Sequence, residues 1–194
     1  MARPLILAST SASRKQTLER LGYLFEVSAP QVDEHAWKQK GLPATVLAET
    51  LAIEKAKSIG GRVQSAVVIG ADQIVKLEGK NLGKPGTPEA AQAQLRQLSG
   101  KTHSLITSVA VWTRDSVYKQ TDITRVTLRE LDDTTILRYV LKDKPIDCCG
   151  SYRFEAHGPA IIENVETQDP TAIQGLPLLW LGGLLAELGY TWQS

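Results

Sequence analysis

The stretch LASTSASRK, residues 7–15, brings several hydroxyl groups and two adjacent cations to the end of an apolar run. Residues 5–8 are predicted to form a buried strand, and the residues after them a turn into a helix. Hydroxyls and free backbone N–H groups at a helix start bind anions, and the helix dipole adds positive potential. The stretch therefore indicates a phosphate site, although a Ser-rich N-cap is also ordinary helix-starting chemistry. The candidate phosphate ligands are Ser9, Ser13, Arg14 and Lys15.

Two acidic positions could hold a metal ion or activate water. Asp72 follows the apolar run at residues 66–71, where a carboxylate is costly to bury without a cation, a metal or a donor. An Asx-turn or a helix cap is the structural alternative for Asp72. Glu34 stands beside Asp33, and acidic pairs suit a hard cation such as Mg²⁺. A solvated loop is the alternative for Glu34.

Three lysines and one further carboxylate complete the candidate set. Lys84 and Lys144 each precede a proline, which disfavours helix at the lysine and favours an extended backbone. Two ammonium groups fixed in this way suit a triphosphate. Lys55 on the predicted long helix could reach the same cleft, although an exposed helical lysine is the default expectation. Glu155 follows a glycine turn and could accept N–H bonds from a base edge, or be an exposed strand carboxylate.

Composition limits the classes of protein that this chain can be. The 194 residues carry 22 Lys and Arg against 21 Asp and Glu, a formal charge of +1, so no global field attracts nucleic acid or an anionic membrane. No apolar run approaches the about 20 residues that span a bilayer, and MARPLIL is too short for a signal peptide. The absence of GxxxxGK[ST] excludes a P-loop NTPase. We expect a cytoplasmic protein with a single domain over residues 1–194.

The two cysteines are neighbours in sequence, Cys148 and Cys149. Adjacent cysteines rarely meet disulfide geometry, so we expect reduced thiols. The three histidines do not give zinc spacing with them. A catalytic thiol would need a partner histidine, and small buried side chains beside Gly150 are the favoured interpretation.

Predicted helices and strands interleave along the chain. This order predicts an α/β fold with a mixed sheet flanked by helices, and ligands at the carboxyl ends of its strands. The turn after the first strand and a turn at Asp72 would then border one cleft. Predicted helices cover residues 14–21, a longer segment opened by Pro43, 87–99, 132–141 and 176–188, the last interrupted at 182–183. Predicted strands cover residues 5–8, 25–28, 66–75 with an interruption at 70–73, 103–113 and 123–131, with a hairpin around Gly79 and a loop with a short strand in residues 143–158.

Nine segments together resemble the signature segments of the Maf family of nucleotide pyrophosphatases. Each is modest alone, but their order and spacing over essentially the whole chain carry the resemblance. They are LASTSASR, APQVDE, EKA, GADQ, GKP, LSGKTH, KPIDCCGSY, the glutamate at 155 and GLPL.

The resemblance implies a two-lobed α/β fold with a central cleft and a divalent metal cation, Mg²⁺, Mn²⁺ or Co²⁺. It implies hydrolysis of nucleoside triphosphates to a monophosphate and pyrophosphate. By position, Asp72 corresponds to the general base and Glu34 to the acidic residue that assists with the metal. The positions that hold the phosphate chain correspond to Ser9, Arg14, Lys55 and Lys84, the last also counted with the catalytic set.

Three positions distinguish the subfamilies and hold Ser13, Gln73 and Glu155 in this chain. In the family pattern that this chain resembles, members of the dTTP/UTP type have Arg, Thr and Gln at these three positions. Members of the 7-methyl-GTP type have Trp, Gln and Glu. The resemblance therefore favours a guanine-like or modified base, although the Trp that would stack on a cationic base is absent at position 13. Trp37 is another aromatic residue that could approach it.

Other functions stay open on the sequence. A dTTP/UTP-type pyrophosphatase is one alternative, and a non-catalytic nucleotide-binding regulator of cell division is another. We expect a nucleoside triphosphate as partner, with neither nucleic acid nor membrane, and a homodimer is a candidate assembly.

Overall fold

The computed structural model describes residues 3–191, which contain seven strands in one mixed sheet. The strand order is second, first, third, fifth, sixth, seventh, and the fourth strand pairs with the third. The strands are β1 (Leu5–Ala8), β2 (Glu26–Ser28), β3 (Val67–Leu77), β4 (Lys80–Leu82), β5 (Thr102–Trp112), β6 (Val117–Leu128) and β7 (Ile162–Glu166).

Seven α-helices accompany these strands within the described residues, which confirms the predicted α/β class. A single turn of 3₁₀-helix spans Ala172–Gln174. The α-helices are α1 (Ala12–Glu19), α2 (Glu34–Gln39), α3 (Ala44–Gly60), α4 (Pro88–Leu98), α5 (Asp133–Asp143), α6 (Gly158–Ile161) and α7 (Leu178–Glu187).

Several local predictions are corrected by these bounds. The strand β3 runs without interruption through residues 70–73, and α7 continues through Gly182 and Gly183. Three short elements, α2, α6 and β7, were not predicted from the sequence, and residues 143–158 contain no strand. These short elements could not be recognised from hydrophobic periodicity, because each contains too few residues to show a repeat.

The parallel pairing of β1 with β3 determines which side chains share a face. Leu7 lies beside Ile69 and Ala8 beside Gly70, and side chains alternate between the two faces of a sheet. Odd-numbered residues of both strands enter a core with Leu181 and Leu185 of α7. Even-numbered residues of the two strands pack against α3. This cluster contains Ile6, Ala8 and Val68 from the strands and Ala56 and Ile59 from the helix.

By compactness the chain divides into two units. Among the described residues, the first unit contains those up to Gln73, Thr107–Asp122 and those from Asp169 onward, and the second contains Ile74–Ile106 and Ile123–Gln168. Within the second unit, α4 packs against α5. Within residues 3–191, none of the helices combines the length and the apolar character that crossing a membrane requires.

Candidate active site

A buried ammonium joins two carboxylates in the first unit. Lys55 Nζ lies 2.7 Å from Asp72 Oδ1 and 2.8 Å from Glu34 Oε1. Lys55 and Asp72 are 5% and 7% exposed, whereas the Glu34 side chain is 40% exposed. We call these three residues the ion triad. The default expectation of an exposed lysine at position 55 is therefore wrong.

The close approach of α3 to β3 places Lys55 against Asp72. Asp72 lies inside β3, not in the predicted turn, and its even position points it toward α3. Gly70, two residues earlier on the same face, has no side chain to separate the two elements. A Cβ at Gly70 would lie 2.2 Å from the carbonyl oxygen of Ala52, so any side chain there would push the helix away.

Glu34 reaches the ion triad from a short helix instead of the solvated loop of the alternative interpretation. Asp33 caps α2 by accepting a hydrogen bond from Ala36 N at 3.0 Å, which fixes Glu34 as the first residue of the helix. Lys38, four residues on, lies 3.4 Å from Glu34 Oε2. This Glu–Lys spacing and the Asp cap were visible in the sequence and could have predicted α2.

The two carboxylates of the ion triad share the ammonium of Lys55, and Lys38 places a second ammonium beside Glu34. Burial alone would raise the pKa of Glu34, but the hydrogen bond and charge of Lys55, with the charge of Lys38, hold that pKa below its ordinary value. Asp72 Oδ1 and Glu34 Oε1 both contact Lys55 Nζ, so the distance between these two oxygens cannot exceed the sum of the two contact distances. Two neighbouring carboxylates can provide oxygen ligands to a divalent cation, and a carboxylate can accept a proton from water.

The hydroxyl turn after β1 is ordered by its own hydrogen bonds. Ser9 is buried and its Oγ accepts a hydrogen bond from Ser11 N at 3.1 Å. Ser11 Oγ in turn accepts from Arg14 N at 3.3 Å and caps α1. Both the predicted strand and the predicted turn into a helix are confirmed, and the cap explains part of the serine content.

The start of α1 is tied to the segment that precedes α7. Arg14 Nε donates to the carbonyl of Gly175 at 3.2 Å, and Ser13 Oγ donates to the carbonyl of Gln174 at 3.4 Å. Gly175 has φ +94° and a Cβ there would lie 3.2 Å from Arg14 Nε. Lys15 is exposed and pairs with Glu19 at 3.8 Å. The guanidinium of Arg14 is therefore positioned by the fold, whereas Lys15 lies on the surface.

Gln73 faces the opposite side of β3 from Asp72. Its amide nitrogen donates to Thr107 Oγ1 at 2.9 Å and to the carbonyls of Ala172 and Ile173 at 3.1 and 3.3 Å. These bonds anchor the 3₁₀ turn to the sheet. Asp72 and Gln73 are neighbours in the sequence, but successive side chains of a strand point to opposite faces, so the two are separated. Gln73 stabilises the fold through its bonds to the 3₁₀ turn.

The remaining candidates belong to the second unit. Lys84 is exposed between β4 and α4, and Lys144 is exposed at the end of α5. Lys144 has φ 46° and ψ 55°, so the predicted extended backbone is wrong: it caps α5 in the left-handed conformation, its N–H donating to Val140. Glu155 is exposed in a turn at residues 154–157, not in a strand.

Cys148 and Cys149 form no disulfide, as predicted, and both are half-buried. Burial and the neighbouring carboxylate of Asp147 raise the pKa of the Cys148 thiol to about 12. Because the thiolate is the nucleophile, this environment disfavours the catalytic-thiol alternative.

Among residues 3–191, no cluster of three or more His, Cys, Asp or Glu side chains forms a metal cage. The ion triad offers two carboxylates, a set that suits Mg²⁺, which commonly takes one or two protein carboxylates and fills its shell with substrate phosphates and water. The donor chemistry of Asp72 and Glu34 therefore fits the implied metal.

Comparison with known proteins decides the family. A family model described as Maf-like protein matches residues 4–188. The chain belongs to the Maf family. The resemblance carried by the nine segments is confirmed, and the mixed sheet with its flanking helices is consistent with the Maf fold.

Curated Maf relatives match nearly the whole chain. A protein of Bdellovibrio bacteriovorus named 7-methyl-GTP pyrophosphatase is 48% identical over 183 residues, 94% of this chain and 96% of its own length. One of the same name from Polaromonas sp. is 46% identical, covering 92% of this chain and 81% of its own. A third, from Xanthomonas oryzae pv. oryzae, is 44% identical, covering 96% and 97%.

Proposed function

We propose that this Maf protein is a nucleotide pyrophosphatase that hydrolyses 7-methyl-GTP to 7-methyl-GMP and pyrophosphate. The observation that supports the proposal is the ion triad, a buried carboxylate held by an ammonium, in a chain whose relatives are named 7-methyl-GTP pyrophosphatase. A guanine-type base also agrees with Gln73 and Glu155 at two of the three selective positions.

Asp72 is the general base of the proposed reaction. It accepts the proton of the attacking water while a bond forms between the water oxygen and the α-phosphorus. The bond from that phosphorus to the bridging α–β oxygen breaks, and pyrophosphate leaves with the electron pair. Lys55 holds the Asp72 carboxylate in place through its 2.7 Å contact and adds positive charge beside the reacting phosphate.

A divalent cation, Mg²⁺, Mn²⁺ or Co²⁺, is part of the proposal. Asp72 and Glu34 would hold it, because they are two carboxylates that lie close enough to share one ammonium, and carboxylate oxygens are the ligands that such ions prefer. When bound, such an ion neutralises charge on phosphate oxygens and polarises the reacting group.

The phosphate chain is bound by hydroxyls and cations in this proposal. Ser9 and Arg14, at the start of α1, offer a fixed hydroxyl and guanidinium. Lys84 and Lys144 add ammonium groups, and Lys84 stabilises charge that develops on the leaving pyrophosphate. Ser13, whose hydroxyl also donates to the carbonyl of Gln174, and Lys15, which also pairs with Glu19, complete the proposed phosphate ligands. Glu155 accepts N–H bonds from the edge of the base.

The remaining proposals concern the whole chain. Residues 1–194 act as one domain, with residues 1–2 and 192–194 outside the described part. The protein works in the cytoplasm on a free nucleotide, without nucleic acid or membrane as partner, and forms a homodimer.

Pyrophosphate release from a nucleotide panel tests the activity. Wild-type protein with Mg²⁺, Mn²⁺ or Co²⁺ is expected to prefer 7-methyl-GTP over GTP, CTP, UTP and dTTP. Asp72→Asn should retain nucleotide binding and lose turnover by about 10²-fold or more, because the general base is removed. Asp115→Asn, in an exposed surface turn, is the control.

The same panel separates the alternatives. A preference for UTP or dTTP would overturn the assignment of positions 73 and 155 and favour the other subfamily. Nucleotide binding without turnover of any triphosphate by the wild type would favour the regulator of cell division.

A further inference from the structure

A buried carboxylate holds together the segment that precedes α7 in the first unit. Asp169 is 6% exposed, and its Oδ1 accepts hydrogen bonds from Thr171 N at 2.9 Å and from Thr171 Oγ1 at 2.5 Å. Its Oδ2 accepts from Leu179 N, in the first turn of α7, at 2.8 Å. Hydrogen bonds to a charged acceptor are stronger than those between neutral groups, so this carboxylate gives residues 169–178 a defined shape. We call residues 169–178 the threonine loop.

The hydroxyl of Thr171 joins the two ends of the threonine loop. Besides donating to Asp169, Thr171 Oγ1 accepts a hydrogen bond from Leu178 N at 2.7 Å and lies 3.0 Å from the carbonyl oxygen of Leu176. Removing this hydroxyl would leave Leu178 N without its acceptor and Asp169 without one of its donors. The shape of the loop therefore depends on one side-chain oxygen.

The threonine loop is also fixed to the sheet. Asp169 N donates to Asp122 Oδ2 of β6 at 3.2 Å, and the 3₁₀ turn inside the loop accepts hydrogen bonds from Gln73 of β3. These contacts with two strands, together with the closure by Thr171, determine where the carbonyl groups of the loop lie relative to the sheet.

One carbonyl of the threonine loop binds Arg14. Gly175 ends the 3₁₀ turn at φ +94°, and its carbonyl accepts the Arg14 Nε–H at 3.2 Å. This contact uses the Nε–H, whereas a phosphate bound in fork geometry also takes the N–H groups of the terminal nitrogens. A guanidinium that the fold already orients loses less side-chain freedom when a phosphate binds. The loop therefore prepares Arg14 for an anionic ligand.

We infer that Thr171 is a positioning residue that acts on the phosphate chain of the substrate through the guanidinium of Arg14. This role rests on the proposed function, in which Arg14 binds phosphate. The hydroxyl of Thr171 closes the threonine loop, the loop presents the carbonyl of Gly175, and this carbonyl orients Arg14. Loss of the hydroxyl should therefore weaken kcat/KM only in a protein that contains Arg14.

A double-mutant cycle in kcat/KM for 7-methyl-GTP tests this role. Thr171→Val removes the hydroxyl and should lower kcat/KM roughly tenfold, because Arg14 is no longer held in place. Thr171→Ser restores the hydroxyl and should stay within about twofold of the wild type. In a protein that already carries Arg14→Ala, Thr171→Val should lower kcat/KM by less than about twofold further, since the group that it positions is gone. Thr134→Val, at an exposed position of α5, is the matched control and should leave kcat/KM unchanged.

Thermal unfolding separates positioning from stability. Thr171→Val should lower Tm with and without Arg14, because it breaks the same hydrogen bonds in both proteins, and kinetics are measured below the lowest Tm. Equal losses of kcat/KM in the two backgrounds would overturn the inference, as would a wild-type kcat/KM in Thr171→Val. If Thr171→Val does not fold, Thr171→Ala completes the cycle.

Failure of the proposed function has a different result. A wild type that releases no pyrophosphate from any nucleotide defeats that function. The same cycle in the Kd of 7-methyl-GTP, measured by calorimetry, then decides the role of Thr171: a loss of affinity that requires Arg14 supports it, and an equal loss in both backgrounds, or none, overturns it.

Discussion

Lys55 has its ammonium between two carboxylates at the edge of an apolar helix face. The desolvation of Lys55 and Asp72 is compensated only while both charges are present, because a buried charge without a partner is far costlier than a pair. Lys55 therefore stabilises the folded protein by neutralising buried Asp72, in addition to any part that it has in the reaction.

Lys55→Met should destabilise the protein by about 3–5 kcal/mol, because Asp72 stays buried without its cation. Adding Asp72→Asn should restore much of this loss, since the unpaired charge is removed. Urea denaturation measures both. Lys57→Met, on the exposed side of α3, is the control and should change stability by less than about 0.5 kcal/mol. An equal effect of the two single variants would contradict the buried-pair argument.

His103 gives the protein a pH-dependent stability. The side chain is 2% exposed, its Nε2 lies 2.8 Å from Tyr152 Oη, and its buried Nδ1 has no partner among the described residues. Burial lowers its pKa from 6.5 to about 4. The unfolded chain therefore binds a proton that the folded chain does not, and stability present above pH 6.5 is lost as the pH falls toward 4.

This contribution should reach roughly 3 kcal/mol between pH 7 and pH 4. The measurement is the difference in unfolding free energy between the wild type and His103→Gln at several pH values, which cancels the titration of the acids. A difference that does not vary with pH would show that His103 is not the responsible group. The exposed His35→Ala variant is expected to unfold with the wild-type pH profile.

At the scale of elements, the packing of α3 on β3 determines whether the ion triad exists. Small residues allow the contact: Gly70 lies against the backbone of Ala52 and Ala56, both fully buried. Direct contact of a helix backbone with a strand is close-packed, so even one methyl group is resisted.

Gly70→Ala should destabilise the fold by about 1–3 kcal/mol through overpacking, and it should lower kcat by moving Lys55 away from Asp72. Thermal unfolding and pyrophosphate release are the two measurements. The matched change Gly183→Ala, in α7 with nothing within 4 Å of the new Cβ, should stabilise by up to about 1 kcal/mol. A neutral Gly70→Ala would mean that α3 can withdraw without cost.

The elements with strong local signals were predicted correctly. Thr87 caps α4 with Pro88 in its first turn, Asp132 caps α5, and Gly79 turns the β3–β4 hairpin at φ +84°. These signals act through residues a few positions apart, so the sequence displays them directly. The helix α2 has only six residues, and its Asp33 cap gave a weaker signal than the loop-like composition around it.

For the whole molecule, the net charge of +1 means that substrate must be recognised by local groups. Gln73 and Glu155 are the two residues that the proposed function assigns to base selection. Gln73 anchors the 3₁₀ turn to the sheet, so its replacement would also disturb the fold, and the exposed Glu155 is therefore the probe of base selection.

Glu155→Gln should lower the preference for 7-methyl-GTP over UTP by about tenfold or more, because a carboxylate accepts two N–H bonds where an amide accepts one. Steady-state kcat/KM for both nucleotides measures the change. Glu163→Gln, on exposed β7, is the control. An unaltered preference in Glu155→Gln would remove this residue from base recognition.

Local patterns in the sequence determined the α/β class, the capped helices, the hairpin and the resemblance to the Maf family, since each depends on neighbouring residues or on ordered motifs. Only the tertiary structure decided that Lys55 is buried against Asp72 and Glu34, that Gln73 faces away from them, and that Lys144 is a left-handed cap. The reason is physical: burial and pairing depend on which helix packs on which sheet face, and residues distant in sequence establish that packing.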